Sequence, residues 1–176
     1  KRMLGRAMKE RSSQLVSLIG EPGVGKTRLV REFFAYIDSR PDLLVYWRQG
    51  RCLPYGDGIT FWGLGEIVKA QAGILESDTP GEAADKLGAT VDATVEDEGE
   101  RDWLKSRLAP LIGLVSGETS EPAERLDSFG AWRKFFETMA STHPLILAIE
   151  DLHWADPAMI EFLEHLLDWS ADVPML

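Results

Sequence analysis

The segment Gly20-Glu21-Pro22-Gly23-Val24-Gly25-Lys26-Thr27 restricts what this chain can fold into more than any other. An apolar run, Gln14-Leu15-Val16-Ser17-Leu18-Ile19, leads straight into it, as expected of a buried parallel strand. Beyond it, Leu29, Val30, Phe33, Phe34 and Ile37 mark one face of a helix over Lys26 to Asp38. Between strand and helix, glycines let the backbone curl and aim successive N–H groups inward, and the helix N-terminus adds positive potential. Such a loop is a cradle for phosphate groups. In it Lys26 meets the β- and γ-phosphates and Thr27 places its hydroxyl on Mg²⁺. The expected ligand is a nucleoside triphosphate, ATP with Mg²⁺, and the residues expected to hold it are Gly20, Glu21, Pro22, Gly23, Val24, Gly25, Lys26, Thr27 and Arg28.

A second signal lies far along the chain. Pro144-Leu145-Ile146-Leu147-Ala148-Ile149 is its most apolar run, and Glu150 and Asp151 follow directly. A buried parallel strand delivers its C-terminal residues to the sheet edge where ligands bind. One acid there can hold Mg²⁺ and the next can orient or deprotonate an attacking water. Because successive strand residues point to opposite faces, Glu150 is assigned to the metal, and Asp151, with Lys26, to catalysis. Asp156-Pro157 then suits the cap and first position of a helix whose buried face carries Ile160, Leu163, Leu166 and Leu167.

Between these signals, Leu43 to Trp47 reads as another strand, followed by a Gly- and Pro-rich loop from Arg48 to Thr60. Arg48 and Arg51 flank the end of that strand and are read as solvated arginines, either of which could approach phosphate, and Cys52 is read as a small buried side chain. Thr60 is placed to cap a helix over Phe61 to Gln71, although Gly63 and Gly65 interrupt it. The acidic, Gly/Ala-rich stretch from Glu76 to Glu124 holds helices around Glu82 to Leu87 and Glu100 to Leu108, as an insertion or as a long crossover on the sheet edge. Leu126, Phe129, Trp132, Phe136 and Met139 form the stripe of a helix over Arg125 to Ala140. His153 and Trp154 are read as packing the turn after the acids. Strands alternating with helices predict an α/β domain with a parallel sheet.

Composition removes several classes. The formal charge is −10, which argues against a broad nucleic-acid footprint, so no direct nucleic-acid contact is expected. No apolar run approaches the ~20 residues that cross a bilayer, so no membrane partner is expected. The single cysteine, Cys52, fits a reducing, cytoplasmic setting. Lys1 to Arg11 reads as the last turns of a helix, and Val173 to Leu176 stops as a strand would begin. The sequence therefore reads as a fragment of a longer polypeptide.

The run from Gly20 through Thr27 to Phe33 resembles the phosphate loop and first helix of AAA-like signalling ATPases, the signal-transduction ATPases with numerous domains (STAND). Glu150-Asp151-Leu152-His153-Trp154-Ala155-Asp156-Pro157 is similar to their second nucleotide motif. Asp usually stands where Glu150 does, and the longer arm leaves an exchange of roles between the two acids open. Gly50 to Trp62 resembles a bacterial branch tied to class III adenylate/guanylate cyclase, tetratricopeptide or DNA-binding regulator domains. The resemblance implies a P-loop NTPase fold, three layers α/β/α around a central parallel sheet, with a helical insertion before the Walker B strand. Residues 1–176 then form one truncated domain: the end of a preceding helix (1–11), a phosphate-loop half (14–60), the insertion (61–124) and a Walker B half (125–176). It also implies an ATP/ADP-controlled switch, slow hydrolysis and self-association of the full-length protein. The family's Gly-Arg-Glu segment would lie before residue 1, and its sensor strand would begin near Val173.

Overall fold

A parallel pair of strands lies at the centre of the computed structural model, which describes residues 1–54, 60–115 and 122–176. Strand β1 is Tyr46–Arg51 and β2 is Leu145–Glu150, in register from Tyr46 beside Leu145 to Arg51 beside Glu150. The helices are α1 (Arg2–Glu10), α2 (Lys26–Asp38), α3 (Trp62–Ala72), α4 (Pro80–Asp92), α5 (Glu98–Leu108), α6 (Pro122–Thr142) and α7 (Pro157–Trp169). Two further segments join the sheet through single bridges: Met175 sits beside Leu145, and Ser13 beside Met175, both parallel. The order across the sheet is thus β1, β2, the Met175 segment and the Ser13 segment.

The period-two alternation of β2 divides the core. Leu145, Leu147 and Ile149 face the larger apolar cluster, with Leu64, Ile67, Leu104, Phe129, Trp132, Phe136 and Phe162. Phe129, Trp132 and Phe162 meet there with ring centroids 5.4 to 5.6 Å apart. Ile146 and Ala148 face the smaller cluster, with Leu4 of α1 and Phe34 and Ile37 of α2. Trp47 of β1 stacks on Phe34 at 4.1 Å and donates its indole N–H to Asp38 at 3.0 Å. Helices therefore cover both faces of this sheet.

Several elements are longer than their sequence patterns. Thr79 and Glu82 form a reciprocal capping box that starts α4, which the acidic stretch hides by burying only Ala83, Leu87 and Val91. Asp97 caps α5 by accepting from the Glu100 N–H at 2.7 Å. The two glycines of α3 are packing contacts. A Cβ on Gly50 would lie 2.0 Å from the Gly63 carbonyl oxygen, and one on Gly65 would lie 2.2 Å from that of Leu111. The missing side chains let α3 lie directly on the backbone of β1 at Gly63 and on the 3-10 turn Ala109–Ile112 at Gly65.

Other expectations are corrected. Leu15 to Ile19 form no strand, and Leu15 and Ile19 are 63% and 94% exposed. The Gln14 N–H reaches the Met175 carbonyl at 2.9 Å, and Ser13 is the residue of this segment that bridges to the sheet. The second strand is shifted from 43–47 to Tyr46–Arg51, because Leu44 takes a left-handed conformation (φ 43°) that no strand continues through. Thr60 does not cap α3; Phe61 holds that position with no side-chain cap. Leu126 is exposed rather than part of the α6 stripe, and α7 buries Met159, Phe162 and Leu166 more deeply than Ile160, Leu163 or Leu167. Asp156 caps α7 as expected, accepting from the Ala158 N–H at 2.9 Å.

Candidate functional site

The glycine-rich turn earns its shape from two positions. Gly23 and Gly25 have φ of 84° and 96°, a region costly to any residue with a Cβ. Gly25 is the N-cap of α2 and brings no side chain to its free N–H groups, which stay directed out of the helix end. Lys26 folds back over the loop. Its Nζ donates to the carbonyls of Gly20 at 2.7 Å and Glu21 at 3.0 Å, so the ammonium sits inside the turn. Glu21, Pro22, Val24 and Thr27 are exposed at the same surface. Arg28 points away into solvent, 84% exposed by side chain and 3.8 Å from Glu32 one turn on.

The acids arrive from β2. The parallel bridges put Ser13, Met175 and Leu145 level across the sheet. From there one segment runs toward the phosphate loop, and β2 runs in the same direction to Glu150. By alternation Glu150 shares the face of Ile146 and Ala148, which is the face packed on α2. Alternation does not extend to Asp151, because the strand ends at Glu150 and Asp151 is left-handed (φ 56°). The two carboxylates therefore do not point to opposite sides. Both reach one guanidinium.

That guanidinium belongs to Arg51, whose place in the register is beside Glu150. Its Nη2 lies 3.1 Å from Glu150 Oε2 and its Nε lies 3.3 Å from Asp151 Oδ2. Its backbone N–H donates to Glu66 Oε2 of α3 at 2.9 Å. The hydrogen bond to Glu150, and then the charges of Asp151 and Glu150, raise the Arg51 pKa further above its already high value. Arg51 is thus a solvent-exposed arginine that also has two ion-pair partners, and neither that pairing nor its contact with Glu66 is visible without the strand register. Arg48 is not free either, since it bonds the Trp47 carbonyl and Gln71. Cys52 follows on, buried, with its N–H on the Glu150 carbonyl at 3.0 Å. Burial, and then the charge of Asp151, push its thiol pKa up.

Thr27 offers a hydroxyl and Glu150 a carboxylate, both hard oxygen donors. Among the described residues no group of three or more His, Cys, Asp or Glu could hold a metal alone. A magnesium ion held by one or two side chains and by substrate phosphates needs no such cage. A concavity lined by Val45, Tyr46, Trp47, Arg48, Gln49 and Ala70 opens along β1. It contains neither the loop nor the acids, and its one cation, Arg48, is already bonded, so it is not the phosphate site.

The AAA ATPase domain family matches the chain over residues 1–176. This chain belongs to that family. Membership implies the α/β architecture that the alternation of strands and helices indicates, and nucleotide binding as the general property of such domains. It is also 28% identical over 172 residues to an uncharacterized protein of Rhizobium meliloti (strain 1021), a match covering 92% of this chain and 16% of that relative. The chain thus spans about 16% of the length of the curated relative it matches. No solved structure matches it at a significant level. No helix among the described residues is long and apolar enough to cross a membrane. Of the stretch that resembles a cyclase-linked branch, Tyr55, Gly56, Asp57, Gly58 and Ile59 lie outside the described residues.

Proposed function

We propose that this AAA ATPase domain is the ATP-binding, slowly hydrolysing core of a larger cytoplasmic signalling or transcriptional regulator, and acts as its nucleotide-controlled switch. The observation that carries the reading is the Gly20–Thr27 turn, with Lys26 held inside it and the uncapped N-terminus of α2 behind it. Backbone N–H groups of the turn and the Lys26 ammonium hold the β- and γ-phosphates, the ammonium exchanging two carbonyls for phosphate oxygens. Gly20, Glu21, Pro22, Gly23, Val24 and Gly25 shape the turn, and Arg28 stands at its rim. Thr27 and Glu150 would hold Mg²⁺, which would supply neutralisation of the triphosphate charge. Asp151 orients the attacking water and takes its proton. The family resemblance adds the full three-layer P-loop sandwich and self-association of the parent protein in its ATP form.

Calorimetric titration with Mg-ATP tests the binding half. Lys26→Ala should weaken binding about ten- to a hundredfold, the worth of a charge-assisted contact. Equal heats for both proteins would sink the assignment. Asp151→Asn tests the chemistry and should keep binding while turnover falls by about 10²–10⁴. Turnover that survives the substitution means that Asp151 is not the base. Absence of turnover in the parent chain, with binding intact, favours an association switch without hydrolysis.

A further inference from the structure

Arg51 does more than pair with surface charge. Its guanidinium joins Glu150 to Asp151, and its own N–H is tied to Glu66, so backbone and side chain are both committed. Register makes this obligatory, because Arg51 and Glu150 are partners in the β1–β2 ladder and a slip of one residue would turn Arg51 to the other face. The Glu150 side chain is only 12% exposed, so its bond to Arg51 is partly shielded from water. Among the described residues no other cation is ion-paired with Glu150 or Asp151. The left-handed backbone at Asp151 carries its carboxylate off the strand and to the same side as that of Glu150.

We propose that Arg51 is a built-in counter-ion that competes with the divalent metal for Glu150 and Asp151, and so sets the metal concentration at which the site loads. The inference rests on the function proposed above. A cation on carboxylate oxygens removes the negative potential that a second cation needs, and bonds to Glu150 Oε2 and Asp151 Oδ2 occupy lone pairs otherwise open to a metal or its water. The Arg51 side chain is 55% exposed, which leaves it room to swing aside when the metal arrives. Loading is then an exchange of one cation for another. Removing Arg51 should ease it.

The test is the Mn²⁺ concentration at which the full chain binds a limiting amount of a fluorescent, non-hydrolysable ATP analogue, read by fluorescence anisotropy. Free Mn²⁺ is set by the total metal minus that bound to the analogue. Arg51→Gln should tighten Mn²⁺ binding about 1.5-fold to fivefold, the range of an ion pair of this exposure. Arg51→Lys keeps a charge without the two-pronged reach and should fall between the two. Raising the salt should narrow the gap by weakening the ion pair in the parent chain. Weaker binding in Arg51→Gln would make Arg51 an organiser of the acids and overturn the proposal. Equal binding in all three proteins overturns it as well, while leaving the nucleotide site standing. No Mn²⁺-analogue binding by any of them removes the nucleotide reading itself, and the competition falls with it.

Discussion

At the scale of a residue, Cys52 offers a reporter for the site beside it. Burial and the nearby Asp151 charge both disfavour its thiolate, burial more strongly. Alkylation should therefore be slow at neutral pH and should accelerate only above the pH at which an ordinary thiol ionises. Asp151→Asn removes the smaller cause and should move the alkylation profile modestly toward lower pH. An unmoved profile, followed by mass spectrometry, would separate Cys52 from that charge. The sign for stability follows. A thiol with its pKa raised on folding stabilises the protein below the unfolded pKa, and the contribution is lost as pH climbs through the folded value. The phosphate-loop motif is legible in sequence because Gly20 to Thr27 are contiguous and each residue type has one physical use. Arg51 was hidden because its partner lies 99 positions away, and only a strand register brings the two together.

At the scale of an element, α3 is held to β1 by missing side chains. Gly50→Ala would drive a methyl into the Gly63 carbonyl, and neither backbone can give way cheaply. A loss of about 1–3 kcal/mol or more is expected. Gly88→Ala is the counterpart. It sits inside α4 with only the Lys105 Cε near, at 3.9 Å, and should gain about 0.5–1 kcal/mol from lower chain entropy. Urea denaturation of both variants measures the contrast, and equal midpoints would contradict the packing described. The helices were legible wherever apolar periodicity was strong, as in α6 and α7. The capping box at Thr79 and Glu82 was equally explicit in sequence, yet α4 was read short because its small buried face carries little periodic signal. Strand β1 was misplaced because its own residues, Tyr46 to Arg51, are mostly polar and follow an apolar Leu43–Leu44–Val45 that forms no strand.

At the scale of the molecule, the two apolar clusters differ in size and in what closes them. The larger gathers residues from α3 through α7, while the smaller relies on α1, α2 and the far face of β2. Amide hydrogen exchange should accordingly find α6 and β2 the slowest regions, α2 faster, and Leu15 to Gly25 fastest. Slower exchange at Leu15 to Gly25 than in β2 would contradict the sheet order given above. An α/β class was legible from the alternation of strands with helices. The absence of a strand over Leu15 to Ile19 was not, since those residues carry every local mark of one.

The smaller cluster also sets an order in time. Leu4, Phe34 and Ile37 leave the ribosome more than a hundred residues ahead of Ile146, which they cover. At ~5–20 residues per second the segment carrying α1 and α2 then waits roughly 5–20 s with its apolar face uncovered. During that interval it is a natural client for a holdase. In refolding monitored by pulse labelling, α2 should gain protection together with β2 and not ahead of it.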